Sequence, residues 1–495
     1  MGKRAEKTFE YQDSLPSLPL PDLEQTLQKY LESVKPLVTK DEYDRTEKIV
    51  NDFKRKEGKK LHSALQEKAR NERNWLSRWW EDAAYMELRF PVVPYMNFGG
   101  TSPIPHVWPP KIGTQTFRGS MMIYGCMLYW EELRKQRFPV MRSRGTIWCM
   151  NQVHRILNAC RIPGPRKDYV KNLFKTEAEG PCPSHIIILH RGHAWRLETV
   201  RPDGEFYTPP QLEAALCEIR SHSVRPGPCV NALPCLDRDS WYQAREHLKG
   251  LSPRNEMYLK VIEESVFAVS LTDLCPETES DLGYLCIAGD ASLSWADKSI
   301  TWHFHENGTV SSSSDHGNID AVVTMQMSDY MDQFLQKSGY KWKGNPSSTD
   351  YPKGVELVFE TDEAIASWVR RATNEVNAAA ENVCVQVYHF TDFGNRYFRG
   401  RKLYGDTIVQ LAMQLAHMRL HNKAVATYES ASTRKFYHGR TETVRSCTSE
   451  AVQFTHSIVS SDFSLDNSKQ NTQAKQRPPT IKDSSANKTY LHQRK

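Results

Sequence analysis

Apolar residues recur at helical spacing in the first part of the chain. Prolines precede the first such stretch, and Asp22 with Gln25 three residues later forms the pattern of a helix capping box. Further helices are predicted over Asp41–Arg55 and Leu65–Leu88. The last of these contains three tryptophans at helical spacing, which we expect in the core: Trp75, Trp79 and Trp80.

Shorter apolar segments dominate the middle of the chain. Between Phe90 and about Gly354, strands such as HIIILH and AWRLETV alternate with helices such as PPQLEAALCEIRS. Further on, CVQVYHF and AVATYES are typical of strands, and DTIVQLAMQLAHMRLH is typical of an amphipathic helix. The pattern predicts an α/β or mixed α+β protein with sizeable mixed sheets. A chain of 495 residues also predicts two domains.

Composition narrows the class of protein. The longest purely aliphatic run, Ile186–Leu189, is far too short to span a membrane, and the N-terminus has no apolar signal core. Eleven cysteines without C-x-x-C spacing indicate reduced thiols in an intracellular protein and no zinc or other metal site. Much of the net charge of +6 lies in a polar, basic tail over 459–495, which we expect to be disordered. The remaining body shows no electrostatic footprint for nucleic acid.

The stretch SSSSDHGNID places His316 four residues before Asp320. The preceding SITWHF and TVSSSS flank an Asn-Gly turn and predict a hairpin, and a helix is predicted from about Asn318, its N-cap. At this strand-to-helix junction Asp320 would fall in the first helical turn and could orient His316 as a base. Roughly two such His-acid pairs are expected by chance in this composition, so an ordinary loop histidine remains an alternative.

A second group of polar residues lies in ATYESASTRKFYHGRTETVRS. Tyr428 and Ser430 are two apart on a predicted strand and point to the same face, while Thr441 is expected at the start of a following helix. Three neutral hydroxyl donors in one place would suit a carboxylate. Ordinary cross-strand pairing with a helix cap is the alternative, and the residues alone leave both open.

Five segments in order resemble the choline/carnitine acyltransferase family over about residues 12–458. They are LPSLPLPDLEQTLQKYL, WPPKIGTQ at 108–115, CMNQ at 149–152 with CRIPGP at 160–165, the DHxxxD segment, and TYES followed by GRTET. The resemblance implies two domains like chloramphenicol acetyltransferase, with mixed sheets. Residues 90–354 would form the N-terminal domain with the catalytic histidine. Residues 12–89 and 355–458 would form a partial C-terminal domain.

The resemblance also implies an activity and roles for individual residues. The enzyme would move a medium-chain, octanoyl-like group reversibly between coenzyme A and carnitine, with His316 as general base, Asp320 as its orienting acid and Arg440 beside that acid. Tyr428, Ser430 and Thr441 would bind the carnitine carboxylate, and the hydroxyl at 441 favours carnitine over choline. Coenzyme A would be a co-substrate, no cofactor being bound permanently, along a segment containing Asn395, Arg396, Arg399, Arg401, Lys402 and Asp406.

The family's pattern continues beyond position 458 with a Ser-Thr-Ser strand that supplies an oxyanion hydroxyl. The second domain is therefore expected to be incomplete in this sequence, and a catalytically impaired, truncated form is one alternative reading. A choline acetyltransferase-like enzyme is another. The resemblance further implies a peroxisomal monomer, although the sequence ends without an SKL-type signal and a cytoplasmic location is also possible.

Overall fold

The computed structural model describes residues 6–101 and 114–460 of the chain. Its helices are α1 Leu23–Val34, α2 Lys40–Arg55, α3 Glu57–Asn71, α4 Ser77–Glu81, α5 Gln115–Arg134, α6 Pro209–His222, α7 Arg238–Leu251, α8 Pro253–Glu264, α9 Glu279–Ala288, α10 Ala321–Ser338, α11 Glu363–Ala380, α12 Asn395–Gly400, α13 Gly405–His421 and α14 Ser449–Ser460. Its strands are β1 Asn97–Thr101, β2 Arg142–Ser143, β3 Thr146–Ile147, β4 Ala159–Ile162, β5 Tyr169–Asn172, β6 Ile186–His190, β7 His193–Leu197, β8 Ala268–Thr272, β9 Thr301–His305, β10 Val310–Asp315, β11 Val355–Glu356, β12 Tyr428–Ser432 and β13 Thr441–Arg445. The fold is therefore mixed α/β, as the sequence predicts.

The chain divides into two compact units. Within the described residues, the first comprises 6–12, 78–101, 114–141 and 150–387, and the second comprises 13–77, 142–149 and 388–460. Helix α11 belongs to the first unit, because its apolar face, including Ile365, Ala372 and Val376, packs into the core of that unit. The domain boundaries at 89/90 and 354/355 stay predictions.

The first unit is organised around a seven-stranded mixed sheet. Its strand order is β1-β10-β9-β8-β6-β7-β11, and the two central contacts, β9 with β8 and β8 with β6, are parallel. The outer contacts are antiparallel. Every residue of β6, β8 and β9 is buried, as expected for strands covered on both faces. Helix α5 packs closely on this sheet: at Gly119 an added Cβ would lie only 2.9 Å from the Phe304 ring, so a larger residue would not fit without a shift.

A network of buried charges lies inside the first unit. Arg238 contacts Asp168 at 2.6 Å and Asp297 at 2.8 Å, and all three side chains are essentially inaccessible to solvent. Burial by itself would raise the pKa of Asp168, but the guanidinium groups of Arg238 and Arg161 outweigh it and lower that pKa. Burial raises the pKa of Asp297 despite Arg238. Removing one partner of such a network destabilises the fold strongly, because the charges that remain are still buried but no longer compensated.

The second unit contains helices α1–α3 and α12–α14 and the two-stranded sheets β2–β3 and β12–β13. Asp22 caps α1 by accepting bonds from the main chain of Glu24 and Gln25, which confirms the N-cap but not the reciprocal half of the predicted capping box. Inside this unit the buried Arg434 donates twice to the carbonyl of Cys149, at 3.0 and 2.6 Å, and Cys149 N–H donates back to the Arg434 carbonyl.

Several predicted elements differ from the structure. The helix expected over Leu65–Leu88 is interrupted after Asn71 and resumes as α4 with a π-helical turn over Asp82–Met86, so its tryptophans do not share one buried face. Trp79 is half exposed rather than in the core. Residues 384–390 alternate like a strand but have no strand assigned. The sequence-predicted strands at HIIILH and AWRLETV and the helices α6 and α13 are confirmed.

Two segments discussed above lie outside the described residues: positions 108–113 of WPPKIGTQ and the predicted tail from residue 461 onward. In the part of the chain that is described, no helix is both long and apolar enough to cross a membrane. Nor do three or more His, Cys, Asp or Glu side chains gather there as a metal site would require. All eleven cysteines are free thiols.

Candidate functional site

The loop that carries His316 lies where the sheet of the first unit meets α10. Strands β9 and β10 form the predicted hairpin, and Gly308 in the turn has a φ of +79°, a conformation that favours glycine. Helix α10 begins at Ala321 with Asp320 as its N-cap, two residues later than predicted. Asn318 is not the N-cap: it is buried, and its side-chain amide donates to the carbonyl of Asp297 at 3.3 Å.

His316 is the partly exposed side chain in an otherwise buried loop. Its side chain is 36% exposed, whereas Asp315 and residues 317–320 are buried. The main-chain N–H of His316 donates to the carbonyl of Met96 at 3.0 Å. The imidazole stacks on Tyr85 with a centroid separation of 5.4 Å, and the edge of Phe98 approaches it at 5.0 Å. The ring is therefore fixed by packing while part of it remains accessible.

Tyr85 and Asp320 both lie near Nδ1 of His316. The hydroxyl of Tyr85 is 3.2 Å away, within hydrogen-bond range, and Oδ1 of Asp320 is 3.6 Å away, an electrostatic contact beyond hydrogen-bond length. Asp320 and Gln152 exchange two hydrogen bonds: the Gln152 amide donates to Oδ2 at 2.9 Å, and the Asp320 main-chain N–H donates to Gln152 Oε1 at 2.7 Å. These bonds hold the carboxylate at the start of α10.

Arg161 links this loop to the buried charges of the first unit. Its guanidinium donates to the carbonyl of Tyr85 at 2.8 Å and to Asp168 at 2.7 Å, and it lies 3.6 Å from Asp315. Asp315 in turn accepts a bond from the Gly317 main chain at 3.2 Å. Sequence reasoning assigned no role to Tyr85, Gln152 or Arg161, although CMNQ and CRIPGP marked the segments of the last two.

Two further histidines are buried in the sheet just before this loop. His303 and His305 sit in a chain of hydrogen bonds that joins three strands and runs, in order, through Ser294, His303, Ser311, His305 and Thr272, with lengths of 2.8, 3.2, 3.0 and 2.9 Å. Burial, with a smaller effect of His305, lowers the pKa of His303 to about 3, and burial lowers that of His305 to about 4. Both are therefore neutral at pH 7.

The three residues predicted to offer hydroxyl donors lie on one hairpin of the second unit. Tyr428 and Ser430 are on β12, and Thr441 pairs with Ser432 at the start of β13, so these side chains share one face of the ladder. Thr441 therefore begins a strand and not the predicted helix, because the short TETVR segment is rich in β-branched residues and pairs with β12. Tyr428 and Ser430 are exposed, and Thr441 is partly buried.

The remaining predicted residues also belong to the second unit. Arg440, just before β13, is only 8% exposed, and its carbonyl accepts a bond from the main chain of Thr433. The segment expected to bind coenzyme A forms α12, a turn and the start of α13, with all six proposed side chains exposed: Asn395, Arg396, Arg399, Arg401, Lys402 and Asp406. The Arg401 guanidinium stacks 3.7 Å over the Tyr397 ring. Four cations thus face solvent within seven residues of sequence, 396–402.

Comparison with known proteins places the chain in a family. The model of the choline/carnitine O-acyltransferase family matches residues 18–486. Peroxisomal carnitine O-octanoyltransferase from Mus musculus is 42% identical over 467 residues, covering 93% of this chain and 76% of the relative, and the Homo sapiens protein of that name is 40% identical with the same coverage. Carnitine O-acetyltransferase from Homo sapiens is 30% identical over 90% of this chain and 72% of its own length. The chain therefore belongs to the choline/carnitine O-acyltransferase family and is an acyltransferase.

Proposed function

We propose that this chain transfers a medium-chain, octanoyl-like acyl group reversibly between coenzyme A and carnitine. The observation that carries the proposal is His316, a packed but partly exposed imidazole in a buried loop at the end of a sheet strand. The names of the relatives support the substrate: the octanoyltransferases are 40–42% identical to this chain and the human acetyltransferase 30%.

In this proposal His316 acts as the general base through Nε2. It removes the proton of the carnitine hydroxyl, whose oxygen attacks the thioester carbonyl carbon of acyl-CoA. The carbon–sulfur bond breaks, and the leaving thiolate takes the proton back from the imidazolium, so that acylcarnitine and free coenzyme A form without net proton exchange. In the reverse direction the coenzyme A thiol supplies the proton. Asp320 stabilises the imidazolium, and general-base catalysis of this kind contributes about 10²–10⁴-fold in rate.

Polar residues of the second unit supply recognition in the same proposal. Tyr428, Ser430 and Thr441 hydrogen-bond the carnitine carboxylate, and Arg440 is a further catalytic candidate. A hydrogen bond from a neutral hydroxyl to a carboxylate is stronger than one to an uncharged acceptor. For coenzyme A, the phosphates bind the exposed cations of the 394–406 segment, namely Arg396, Arg399, Arg401 and Lys402, with Asn395 and Asp406 beside them.

The proposal also includes the domain type, the cellular location, the co-substrates and the oligomeric state. The two compact units and the mixed sheet support two domains similar to chloramphenicol acetyltransferase. The names of the relatives support a peroxisomal location. Coenzyme A and acyl-CoA act as co-substrates with no permanently bound cofactor, and the protein works as a monomer.

The direct test is octanoyl transfer from octanoyl-CoA to carnitine by the purified chain and by His316→Ala. We expect the substitution to reduce kcat by at least about a hundredfold, because the general base is lost. The matched control is His456→Ala, which removes an exposed histidine on α14. Activity of His316→Ala within tenfold of the parent would exclude His316 as the base.

Two further measurements distinguish this function from its alternatives. Choline offered in place of carnitine should be a poor acceptor, and equal rates with both would favour a choline acetyltransferase-like enzyme. Calorimetric binding of carnitine and of octanoyl-CoA to the same sample distinguishes recognition from turnover. A chain that binds both substrates but transfers no acyl group would support the catalytically impaired alternative instead.

A further inference from the structure

Nδ1 of His316 has a closer neighbour than the acid four residues along the chain. The Tyr85 hydroxyl lies 3.2 Å from Nδ1, whereas the nearer oxygen of Asp320 lies at 3.6 Å. The other Asp320 oxygen accepts the Gln152 amide at 2.9 Å. A hydrogen bond at 3.2 Å fixes the direction of a ring, while a contact at 3.6 Å contributes mainly through charge.

Tyr85 is itself held in place by buried groups. It lies in the π-helical turn Asp82–Met86, and its carbonyl accepts a bond of 2.8 Å from Arg161. Arg161 is fully buried and is bound to Asp168 at 2.7 Å. The Tyr85 ring also stacks on the imidazole at an interplanar angle of 25°. The hydroxyl position is therefore set by the interior of the first unit.

We propose that Tyr85 is a positioning residue for the base: its phenolic oxygen accepts the hydrogen on Nδ1 of His316 and so leaves the lone pair on Nε2. This inference rests on the proposed role of His316. A neutral imidazole carries one N–H and one lone pair, and a partner at one nitrogen decides which tautomer is present. The negative charge of Asp320 on the same side of the ring favours a hydrogen on Nδ1 over one on Nε2.

The opposite assignment is incompatible with a base at Nε2. If the Tyr85 hydroxyl donated to Nδ1, the imidazole hydrogen would sit on Nε2, which could not accept a substrate proton. With Tyr85 as acceptor, Nε2 takes the proton from the substrate hydroxyl while the Nδ1–H bond to Tyr85 persists in the imidazolium. The ring then keeps its orientation through the proton transfer and returns the same proton to the leaving thiolate.

The experiment uses Tyr85→Phe, which retains the stacked ring and removes only the oxygen. We expect kcat for octanoyl transfer to fall about tenfold, the effect of one hydrogen bond, while the KM values for carnitine and octanoyl-CoA change by less than about twofold. Tyr124→Phe is the control, because Tyr124 packs in a separate aromatic cluster with Phe206, Phe334 and Trp342. It should leave kcat unchanged.

The second readout is ¹⁵N NMR of histidine-labelled protein at a pH where His316 is neutral, its signals being assigned by their loss in His316→Ala. The parent should show a protonated Nδ1, and Tyr85→Phe should populate the form protonated at Nε2. A fall in kcat without a change of tautomer, or a change of tautomer without a fall in kcat, would overturn the inference. An inactive parent would count against the proposed function instead, since the tautomer readout does not depend on turnover.

Discussion

Lowering the pH from 7 to 5 should destabilise the first unit through His303 and His305. In the folded protein burial lowers their pKa values to about 3 and about 4, well below the value of about 6.5 for an exposed histidine. Below pH 6.5 these two histidines therefore bind protons in the unfolded chain but stay neutral in the folded one. The stability decreases as the pH falls through this range, and the loss levels off only near the folded pKa values.

The size of the effect follows from the same shifts. Each pH unit below 6.5 costs about 1.4 kcal/mol per histidine, so at pH 5 each loses about 2 kcal/mol and the pair about 4 kcal/mol. That is a large part of the net stability of an ordinary domain. Every ring nitrogen faces a buried hydroxyl, so a protonated ring would carry its charge where water cannot solvate it.

Hydrogen-exchange mass spectrometry of peptides from β9, in increasing urea at pH 7 and pH 5, measures this stability within one unit. The comparison protein is the double variant His303→Gln, His305→Gln, whose amides can still donate and accept hydrogen bonds but do not titrate. The parent should lose about 4 kcal/mol more than the variant between the two pH values. Equal losses in the two proteins would refute the reasoning. Should the variant fail to fold, histidine NMR signals of the parent that titrate near pH 6.5 at both positions would refute it equally.

Two other substitutions test the hairpin of the second unit and the buried charges of the first. Thr441→Val should raise the KM for carnitine about tenfold or more with little effect on the KM for octanoyl-CoA, since it removes the hydroxyl that we propose bonds the carnitine carboxylate. Thr427→Val is the control, because the Thr427 hydroxyl bonds a main-chain carbonyl. Equal changes in both KM values would make Thr441 a structural residue. Arg238→Met should lower the free energy of unfolding by about 3–5 kcal/mol, because it leaves two buried carboxylates without their shared cation. The half-exposed Arg371→Met should cost no more than about 1 kcal/mol in the same denaturation experiment, and a similar cost for both would contradict the argument.

Local features of the fold could be predicted from the sequence because neighbouring residues determine them. The hairpin before His316 follows from an Asn-Gly turn between two β-rich segments, and Asp22 marks the start of α1 through its own side chain. Alternation alone was misleading at residues 384–390, where the pattern of a strand is present but no strand is assigned. A strand needs a partner, and a sequence does not show which segment supplies one.

The candidate site could be predicted only in part for the same reason. His316 and Asp320 are four residues apart, so their proximity can be inferred from the sequence. Tyr85 is 231 positions from His316, and Gln152 is 168 positions from Asp320. Nothing in the local pattern around either residue indicates such a contact, because both depend on how the sheet, α10 and the π-helical turn pack together.

The main chain around His316 suggests why these distant contacts matter for chemistry. In the loop 316–320, four N–H groups have hydrogen-bond acceptors: His316 bonds the Met96 carbonyl, Gly317 and Asn318 bond Asp315, and Asp320 bonds Gln152. A side chain at 317 would also collide with its surroundings, since a Cβ there would lie 2.9 Å from Met86 and 3.0 Å from Asp315. A loop so fully bonded holds the imidazole in one place before any substrate binds. Transfer of a proton to a group that is already oriented requires little reorganisation, and such preorganisation is a major source of enzymatic rate enhancement. In the proposed mechanism the residues that fix the loop therefore contribute to catalysis together with the histidine, although they come from segments far away in the sequence.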